Sequence, residues 1–234
     1  EQFEAQFENK SPSGGQKVYG RTWDENIHVL SWLEGGRFKS FQSIFLEKEI
    51  PKEWRKIGGM DFGANFYFCA IAIEPRYNIW IVYHEYFFKY ERLMSRHADE
   101  IIKKTPYFSQ LRRIYGDPSA KQGILDMNAL LRKKAKRDLI IPAMNALLEG
   151  VDSVKKRLEV NQSDMRPRLY VMDTCTELRR EFREWEHDTL PDGRPDLESF
   201  EEGNDHALDS VRYPSLSTIH REHVGYRFAT VKGL

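Results

Sequence analysis

Three aspartates that lie far apart in the sequence could act together on metal ions. Asp61 follows a short apolar run and is flanked by glycines, Asp117 closes another apolar run, and Asp209 lies in an acidic cluster near the far end of the chain. Carboxylates at the ends of separate elements can gather two divalent cations at one point, and two such cations suit hydrolysis of a phosphodiester bond. The sequence therefore predicts a metal-dependent hydrolytic site.

Each aspartate also has a structural interpretation. An Asp before Gly is common in hairpin turns, which would account for Asp61. Asp117 precedes a predicted helix, whose dipole a carboxylate stabilises. Asp209 shares a helix face with Asp205 and His206 because residues three and four apart are neighbours on a helix. Asp205 would lie in the first turn and is the better structural candidate, whereas Asp209 is the better ligand candidate.

Other residues extend the candidate site. His206 could relay protons or orient Asp209, and the sequence does not separate these roles. Arg212, three residues after Asp209, could pair with it or contact a phosphate. Acidic residues that compete for the site, in falling rank, are Glu85, Asp126 and Asp173, the last of which a helix-entry role explains.

The pattern of apolar residues predicts the elements that must position these side chains. Strands are predicted over 27–33, 41–45, 57–61, 66–73, 79–88, 113–115, 139–142 and 169–172. Helices are predicted over 92–104, 119–136, 146–158, 174–187 and 205–213. A capping box at 174–177 would open the fourth helix, Asn204 would cap the fifth, and 188–203 would be a loop.

The order of these elements indicates the fold class. The strands over 57–61, 66–73 and 79–88 are rich in β-branched and aromatic residues and are joined by short turns, which favours an antiparallel three-stranded meander. Helices and strands then alternate, which favours parallel strands. We therefore predict a ribonuclease H-like α/β fold, with a mixed central sheet flanked by helices.

Composition limits the class of protein. The chain has 234 residues, of which 40% are hydrophobic, enough to fill the core of one large domain. Lys plus Arg and Asp plus Glu both number 36, but residues 103–168 carry 15 basic and 7 acidic side chains, whereas 169–209 carry 4 and 13. A basic surface beside an acidic, metal-binding one suits a nuclease, and two solvated helical faces are the alternative.

The strongest basic feature is a tract at the end of the second predicted helix. Its members are Arg132, Lys133, Lys134, Lys136 and Arg137. Such cations could bind DNA phosphates without sequence specificity. Alternatively, they could simply interact favourably with the negative end of the helix dipole at the C-terminus.

Several kinds of site are not indicated. Cys69 and Cys175 belong to no zinc-binding or disulfide pattern, which suits a reducing cytosol. A polar turn at 74–78 interrupts the most apolar stretch, so no membrane-spanning helix is predicted. The sequence has no GxxxxGK[ST] motif for ATP phosphates and no signal peptide. Because it begins with Glu1, we expect a part of a longer protein.

With these residues placed, the chain resembles the C-terminal nuclease domain of the large terminase subunit of tailed bacteriophages. The likeness covers most of the chain, and the last of its motifs is fairly specific. The matching segments are 16–20 (QKVYG), 59–63 (GMDFG), 82–86 (VYHEY), 115–118 (YGDP), the helix over 181–185 and 205–213 (DHALDSVRY).

The resemblance implies an endonuclease that cuts concatemeric double-stranded viral DNA at the start and end of genome packaging. It implies two Mg²⁺ or Mn²⁺ ions held by Asp61, Asp117 and Asp209, with Asp61 bridging the ions and His206 near the site.

The resemblance also implies a domain organisation: a linker at 1–15 from an absent ATPase domain, a nuclease domain at 16–214 and a C-terminal tail at 215–234. Partners in the full-length protein would be that ATPase domain, the portal and the small terminase subunit, in the host cell cytoplasm.

Two alternatives remain open from the sequence. Another ribonuclease H-like enzyme, such as a junction resolvase or a transposase core, could use the same acids on different DNA. A non-catalytic packaging or docking module could carry the same acids as solvated surface residues.

Overall fold

A computed structural model describes residues 16–201, 203 and 205–231, with 220–231 as backbone only. The predicted linker at 1–15 and the predicted helix cap Asn204 lie outside the described residues. The predicted boundary at 214 between the nuclease domain and a C-terminal tail remains a prediction.

Ten strands and seven helices make up the described part of the chain. The strands are β1 Val29–Ser31, β2 Lys39–Ser40, β3 Arg55–Asp61, β4 Asn65–Glu74, β5 Ile79–Lys89, β6 Leu111–Gly116, β7 Ile140–Pro142, β8 Leu169–Met172, β9 His187–Thr189 and β10 Pro195–Phe200. The helices are α1 Glu25–His28, α2 Phe41–Phe45, α3 Met94–Lys104, α4 Lys121–Ala135, α5 Leu147–Leu158, α6 Thr176–Glu184 and α7 His206–Val231.

Eight of these strands form one mixed sheet in the order β2-β1-β8-β5-β4-β3-β6-β7. β3, β4 and β5 pair antiparallel, which confirms the predicted meander. β6 and β7 extend the β3 side of the sheet in parallel, and β8, β1 and β2 extend the β5 side in parallel. The predicted fold class, a mixed sheet flanked by helices, is confirmed.

The core lies on both faces of this sheet. In β4 every residue from Phe66 to Ile73 is buried, so successive side chains on opposite faces are both covered. α7 packs against β3, β4 and β6, and α5 packs against α7 and β8. A sheet covered on both faces leaves its strand ends as the place where polar side chains reach solvent.

The segment before the meander differs from its prediction. Residues 41–45 form α2 rather than a strand, because the Ser40 hydroxyl accepts a hydrogen bond from Ser43 N–H and Phe41 contacts Phe45 one turn later. The predicted strand over 27–33 is shortened to β1, since the Asp24 side chain caps α1 just before it.

The C-terminal part also differs from its prediction. The predicted loop at 188–203 contains the β9–β10 hairpin. The predicted helix over 205–213 continues through Pro214 to Val231. α6 ends at Glu184 instead of 187, and its N-cap residue Cys175 makes no side-chain cap bond, so the predicted capping box is wrong.

Candidate metal and nuclease site

Asp61 and Asp117 lie side by side at one edge of the sheet. β3 and β6 are parallel neighbours, with Met60 opposite Gly116, so the residues that follow this pair are the two aspartates. Asp117 N–H also donates to the Met60 carbonyl at 3.2 Å, which extends the pairing to the end of β3. The carboxyl ends of parallel strands therefore bring these two acids together.

Asp209 reaches the same edge because α7 approaches β3 unusually closely. A Cβ atom on Gly59 would lie 1.6 Å from the Ser210 carbonyl oxygen, so only glycine fits at this position. Pro214 has no N–H to donate to that carbonyl one turn earlier. The Ser210 oxygen instead accepts from the Cys69 thiol at 3.4 Å, facing the sheet. Gly59 and Pro214 together let the helix contact the strand.

His206 connects Asp61 to the neighbouring hairpin. Its Nδ1 lies 2.8 Å from Asp61 Oδ2, and its Nε2 lies 3.1 Å from the Asn65 amide nitrogen. When Asn65 donates to Nε2, the ring proton is on Nδ1 and is donated to Asp61. The hydrogen bond to Asp61 raises the pKa of His206. His206 was predicted to lie near the site and either to relay protons or to orient Asp209, and in the structure its ring nitrogens contact Asp61 and Asn65 instead.

Asp61 occupies an environment that disfavours its negative charge. Its residue exposure is only 7%, and burial raises its pKa to about 6. The hydrogen bond from His206 lowers the pKa, whereas the charges of Asp209 and Asp117 raise it. Within residues 16–201, 203 and 205–219, no Lys or Arg side chain pairs with Asp61. A divalent cation at this edge would stabilise the ionised form.

Asp209 is held by two neighbours on its own helix. Its Oδ1 accepts from the Arg212 guanidinium at 2.8 Å, and its Oδ2 accepts from the Tyr213 hydroxyl at 2.9 Å. Arg212 is 3% exposed and also donates to Asn145 on the segment before α5. Of the two roles predicted for Arg212, the structure shows the pairing with Asp209.

Asp117 turns towards the start of α4. Its carboxylate accepts from the backbone N–H of Ser119 at 2.9 Å and from the Ser119 hydroxyl. As they stand, no group of three or more His, Cys, Asp or Glu side chains among the described residues is arranged as a metal site. The donors still suit a hard divalent cation chemically, because oxygen ligands from carboxylates are what Mg²⁺ and Mn²⁺ prefer.

The lower-ranked acids have other roles. Glu85 accepts hydrogen bonds from the first turn of α6. Asp126 is exposed on α4 and accepts from Gln122. The backbone of Asp173 bonds to Leu30 and Arg179 at the entry to α6. None of the three makes a hydrogen bond to Asp61 among the described residues.

Sequence reasoning missed Glu181 as a member of this region. It is 1% exposed on α6, and its carboxylate accepts from the backbone N–H groups of Ala207 and Leu208 at the start of α7. Burial raises its pKa to about 8. The only signal in the sequence was its place in the segment 181–185, which carried part of the resemblance.

A cavity of about 320 Å³ opens beside His206. Asn65 and Glu181 line it on the side of the candidate site, and Lys89 and Arg180 add positive charge. Arg180 is already paired with Glu177 and Glu184, so it is a structural cation in this arrangement.

The basic tract lies away from the aspartates. Asp117 precedes the start of α4 and the tract is at its end, roughly 17 Å along the helix axis. Arg132 pairs with Asp138, Lys134 pairs with Asp99, and Arg137 donates to the carbonyls of Ser109 and Leu111. Leu111 is the first residue of β6, at the opposite edge of the sheet from Asp117. The structure does not bring the tract to the candidate site.

No protein-family model and no curated protein sequence matches the chain. Solved structures do match it. The large terminase of a thermophilic bacteriophage is similar with a TM-score of 0.58 and 21% identity over 85% of this chain and 44% of that protein. The chain therefore spans about half the length of that terminase.

Isolated nuclease domains match over nearly their whole length. The large terminase nuclease domain of bacteriophage SPP1, solved with bound Mn, has a TM-score of 0.54 and 19% identity, over 81% of this chain and 94% of that domain. The large terminase nuclease of the thermophilic phage G20c has a TM-score of 0.54 and 10% identity, over 85% and 96%. At these identities the similarity establishes the fold, and it confirms the predicted resemblance to terminase nuclease domains at that level.

Proposed function

We propose that this chain is a metal-dependent endonuclease domain that cuts double-stranded viral DNA during genome packaging. The observation that carries the proposal is that Asp61, Asp117 and Asp209, from three separate elements, lie close enough at one edge of the sheet for the charges of Asp117 and Asp209 to act on Asp61. The shared fold with terminase nuclease domains, of which two were solved with bound Mn or magnesium, supports it.

The carboxylates of Asp61, Asp117 and Asp209 would hold two Mg²⁺ or Mn²⁺ ions. Bound divalent ions would activate water and stabilise the departing oxygen of a phosphodiester. Asp61 must be ionised to bind them, and the hydrogen bond from His206 favours that form. Arg212 and Tyr213 hold Asp209 in place, so its orientation is set before a ligand arrives.

His206 orients Asp61 in this proposal. Its Nδ1 faces the carboxylate and its Nε2 faces Asn65, so both ring nitrogens have partners. A proton relay to the substrate would require the ring to leave Asn65. Orientation is therefore the role that the geometry favours.

We propose that the chain is the nuclease part of a longer large terminase protein. Since the chain spans about half of a large terminase, we propose an ATPase domain, a portal and a small subunit as partners of the full-length protein in the host cytoplasm. No helix in the described part of the chain is long and apolar enough to cross a membrane.

Nicking of supercoiled plasmid in Mn²⁺ tests the proposal. The wild-type chain should convert plasmid to open-circular and linear forms, EDTA should stop the reaction, and Asp61→Ala should be inactive while keeping its fold. Equal activity of both proteins, or none in either, would leave the docking-module alternative. Selective cleavage of four-way junctions over linear duplex would favour a resolvase.

A further inference from the structure

The start of α7 is held by a carboxylate from another helix. Oε2 of Glu181 accepts hydrogen bonds from Ala207 N–H at 2.8 Å and from Leu208 N–H at 3.0 Å. The first N–H groups of a helix have no acceptor within the helix. Glu181 on α6 supplies an acceptor for two of these N–H groups. The two residues that donate to it lie between His206 and Asp209 in α7.

The start of α6 is held in the same way by the sheet. Glu85 on β5 accepts from Glu177 N–H at 2.9 Å and from Leu178 N–H at 3.1 Å. The local N-cap residue of α6 makes no side-chain bond, so this carboxylate takes its place. Tyr67 on β4 donates to Glu85 at 2.6 Å and holds it against the sheet.

We propose that Glu85 and Glu181 are positioning residues that act in series on the candidate site. Glu85 fixes the position of α6 relative to the sheet, and Glu181 fixes the position of α7 relative to α6. α7 then presents His206 to Asp61 and Asp209 to the same edge. Neither carboxylate bonds to Asp61, Asp117 or Asp209 in the described residues, so neither is a catalytic residue. The activity readout of this inference rests on the proposed nuclease function.

The two carboxylates use their oxygens differently, which makes the inference testable. In Glu181 only Oε2 accepts from the helix, and Oε1 lies 3.7 Å from Arg180. In Glu85 both oxygens accept: Oε1 from Glu177 N–H and Oε2 from Leu178 N–H. A glutamine has one acceptor oxygen. It can therefore replace Glu181, but at position 85 it leaves one backbone N–H facing an amide N–H₂ group.

The experiment compares Glu181→Gln, Glu181→Met and Glu85→Gln. Partners that orient metal ligands typically contribute 10–100-fold to activity or metal affinity, so Glu181→Met and Glu85→Gln should lose about that much Mn²⁺-dependent nicking. Glu181→Gln should keep most of the wild-type rate. Glu184→Met is the matched control, because Glu184 also pairs with Arg180 from α6 but makes no hydrogen bond or ion pair with the described residues of α7.

Two measurements independent of activity accompany the rates. The ¹⁵N chemical shifts of the His206 ring report its hydrogen bond to Asp61, and amide exchange at Ala207 and Leu208 reports the cap. Both should change in Glu181→Met and stay near wild type in Glu181→Gln and Glu184→Met.

The outcomes separate this inference from the proposed function. If the wild-type protein is active, two results would overturn the positioning role alone. One is a Glu181→Met variant as active as wild type. The other is a folded Glu181→Gln variant that is as impaired as Glu181→Met. If Glu181→Met does not fold, equal rates for Glu181→Gln and Glu85→Gln would overturn it. An inactive wild-type protein would overturn the nuclease function, and the His206 shifts and amide exchange would then decide the positioning role.

Discussion

Two charged regions, the basic tract and the three aspartates, lie at opposite ends of α4 and β6. Their charged side chains have different kinds of partner. In the basic tract at 132–137, Arg132 and Lys134 are paired with aspartates, and Arg137 donates to backbone carbonyls. At the acidic edge, Asp61 is almost buried beside Asp117 and Asp209, and their charges raise its pKa. Arg132 and Lys134 are thus paired with exposed acids, whereas Asp61 is buried beside two other carboxylates and has His206 as its hydrogen-bond partner.

The proposed function accounts for this difference, because a divalent cation would compensate the charge of Asp61. Exposed ion pairs such as Arg132–Asp138 contribute little to stability, because solvent screens them. A buried carboxylate such as Asp61 costs stability unless a hydrogen bond or a cation compensates its charge, and such groups are frequent at functional sites. The experiments below test whether the two regions differ in this way.

Replacing Asp61 by Asn should give the largest effect and should separate function from stability. Nicking should be abolished, because a neutral amide is a much weaker ligand for divalent cations than a carboxylate. At pH 8 the free energy of unfolding should rise by ~1–3 kcal/mol, since a pKa raised from 3.8 to about 6 means that the folded state disfavours the ionised acid. The contribution of Asp61 to the free energy of unfolding is most favourable below the pKa of this residue in the unfolded chain. That contribution is lost as the pH rises through about 6, the pKa in the folded protein.

Urea denaturation at pH 4 and pH 8 measures this change. The gain from Asp61→Asn should be present at pH 8 and small at pH 4, where wild-type Asp61 is largely protonated. The exposed Asp126→Asn is the control. A variant less stable than wild type at pH 8 would show that the acidic edge is compensated like the basic tract.

Adding a methyl group at Gly59 tests how the acidic edge is assembled. The Cβ of Gly59→Ala would lie 1.6 Å from the Ser210 carbonyl oxygen, so α7 must move away from β3. The free energy of unfolding should fall by ~3 kcal/mol or more, and nicking should fall with it. Gly63→Ala, where the nearest atom lies at 3.9 Å, should change stability little. Equal effects of the two substitutions would contradict the close contact.

The pH dependence of metal binding tests the ionisation of Asp61. The apparent affinity for Mn²⁺, measured by calorimetry, should rise by up to about tenfold per pH unit up to pH about 6 and then level off, as Asp61 loses its proton. His206→Ala should move this rise to higher pH, because the His206 hydrogen bond lowers the pKa of Asp61. An affinity that does not vary between pH 5 and pH 8 would exclude Asp61 as a ligand.

Neutralising Lys133, Lys134 and Lys136 together should give the smallest effect. If the tract grips DNA phosphates, binding should weaken and the slope of log affinity against log salt should fall by about 2–3, while the cleavage rate at saturating DNA stays the same. Lys48 and Lys52, replaced together, are the control for lost charge. Unchanged binding would identify the tract as a helix end with locally paired cations.

The sequence predicted most of the central sheet because the signals there are local. Continuous β-branched and aromatic runs separated by short turns specify β3, β4 and β5, and the structure confirms them. Predictions were wrong where a cap or a distant partner decided the element. Ser40 made 41–45 helical, and Glu85, 91 residues before Thr176, replaced the expected capping box.

The sequence by itself determined the types of the candidate site residues and the ends of the elements that carry them. A strand that ends in Asp61, a strand that ends before Asp117 and a helix with His206 and Asp209 can all be deduced from local patterns. Only the tertiary structure decided which of them meet. β3 pairs parallel to β6, and Gly59 and Pro214 let α7 approach β3, so the three acids share one edge while the basic tract lies at the other. These contacts join residues far apart in the chain, and their energies depend on packing that no local pattern encodes.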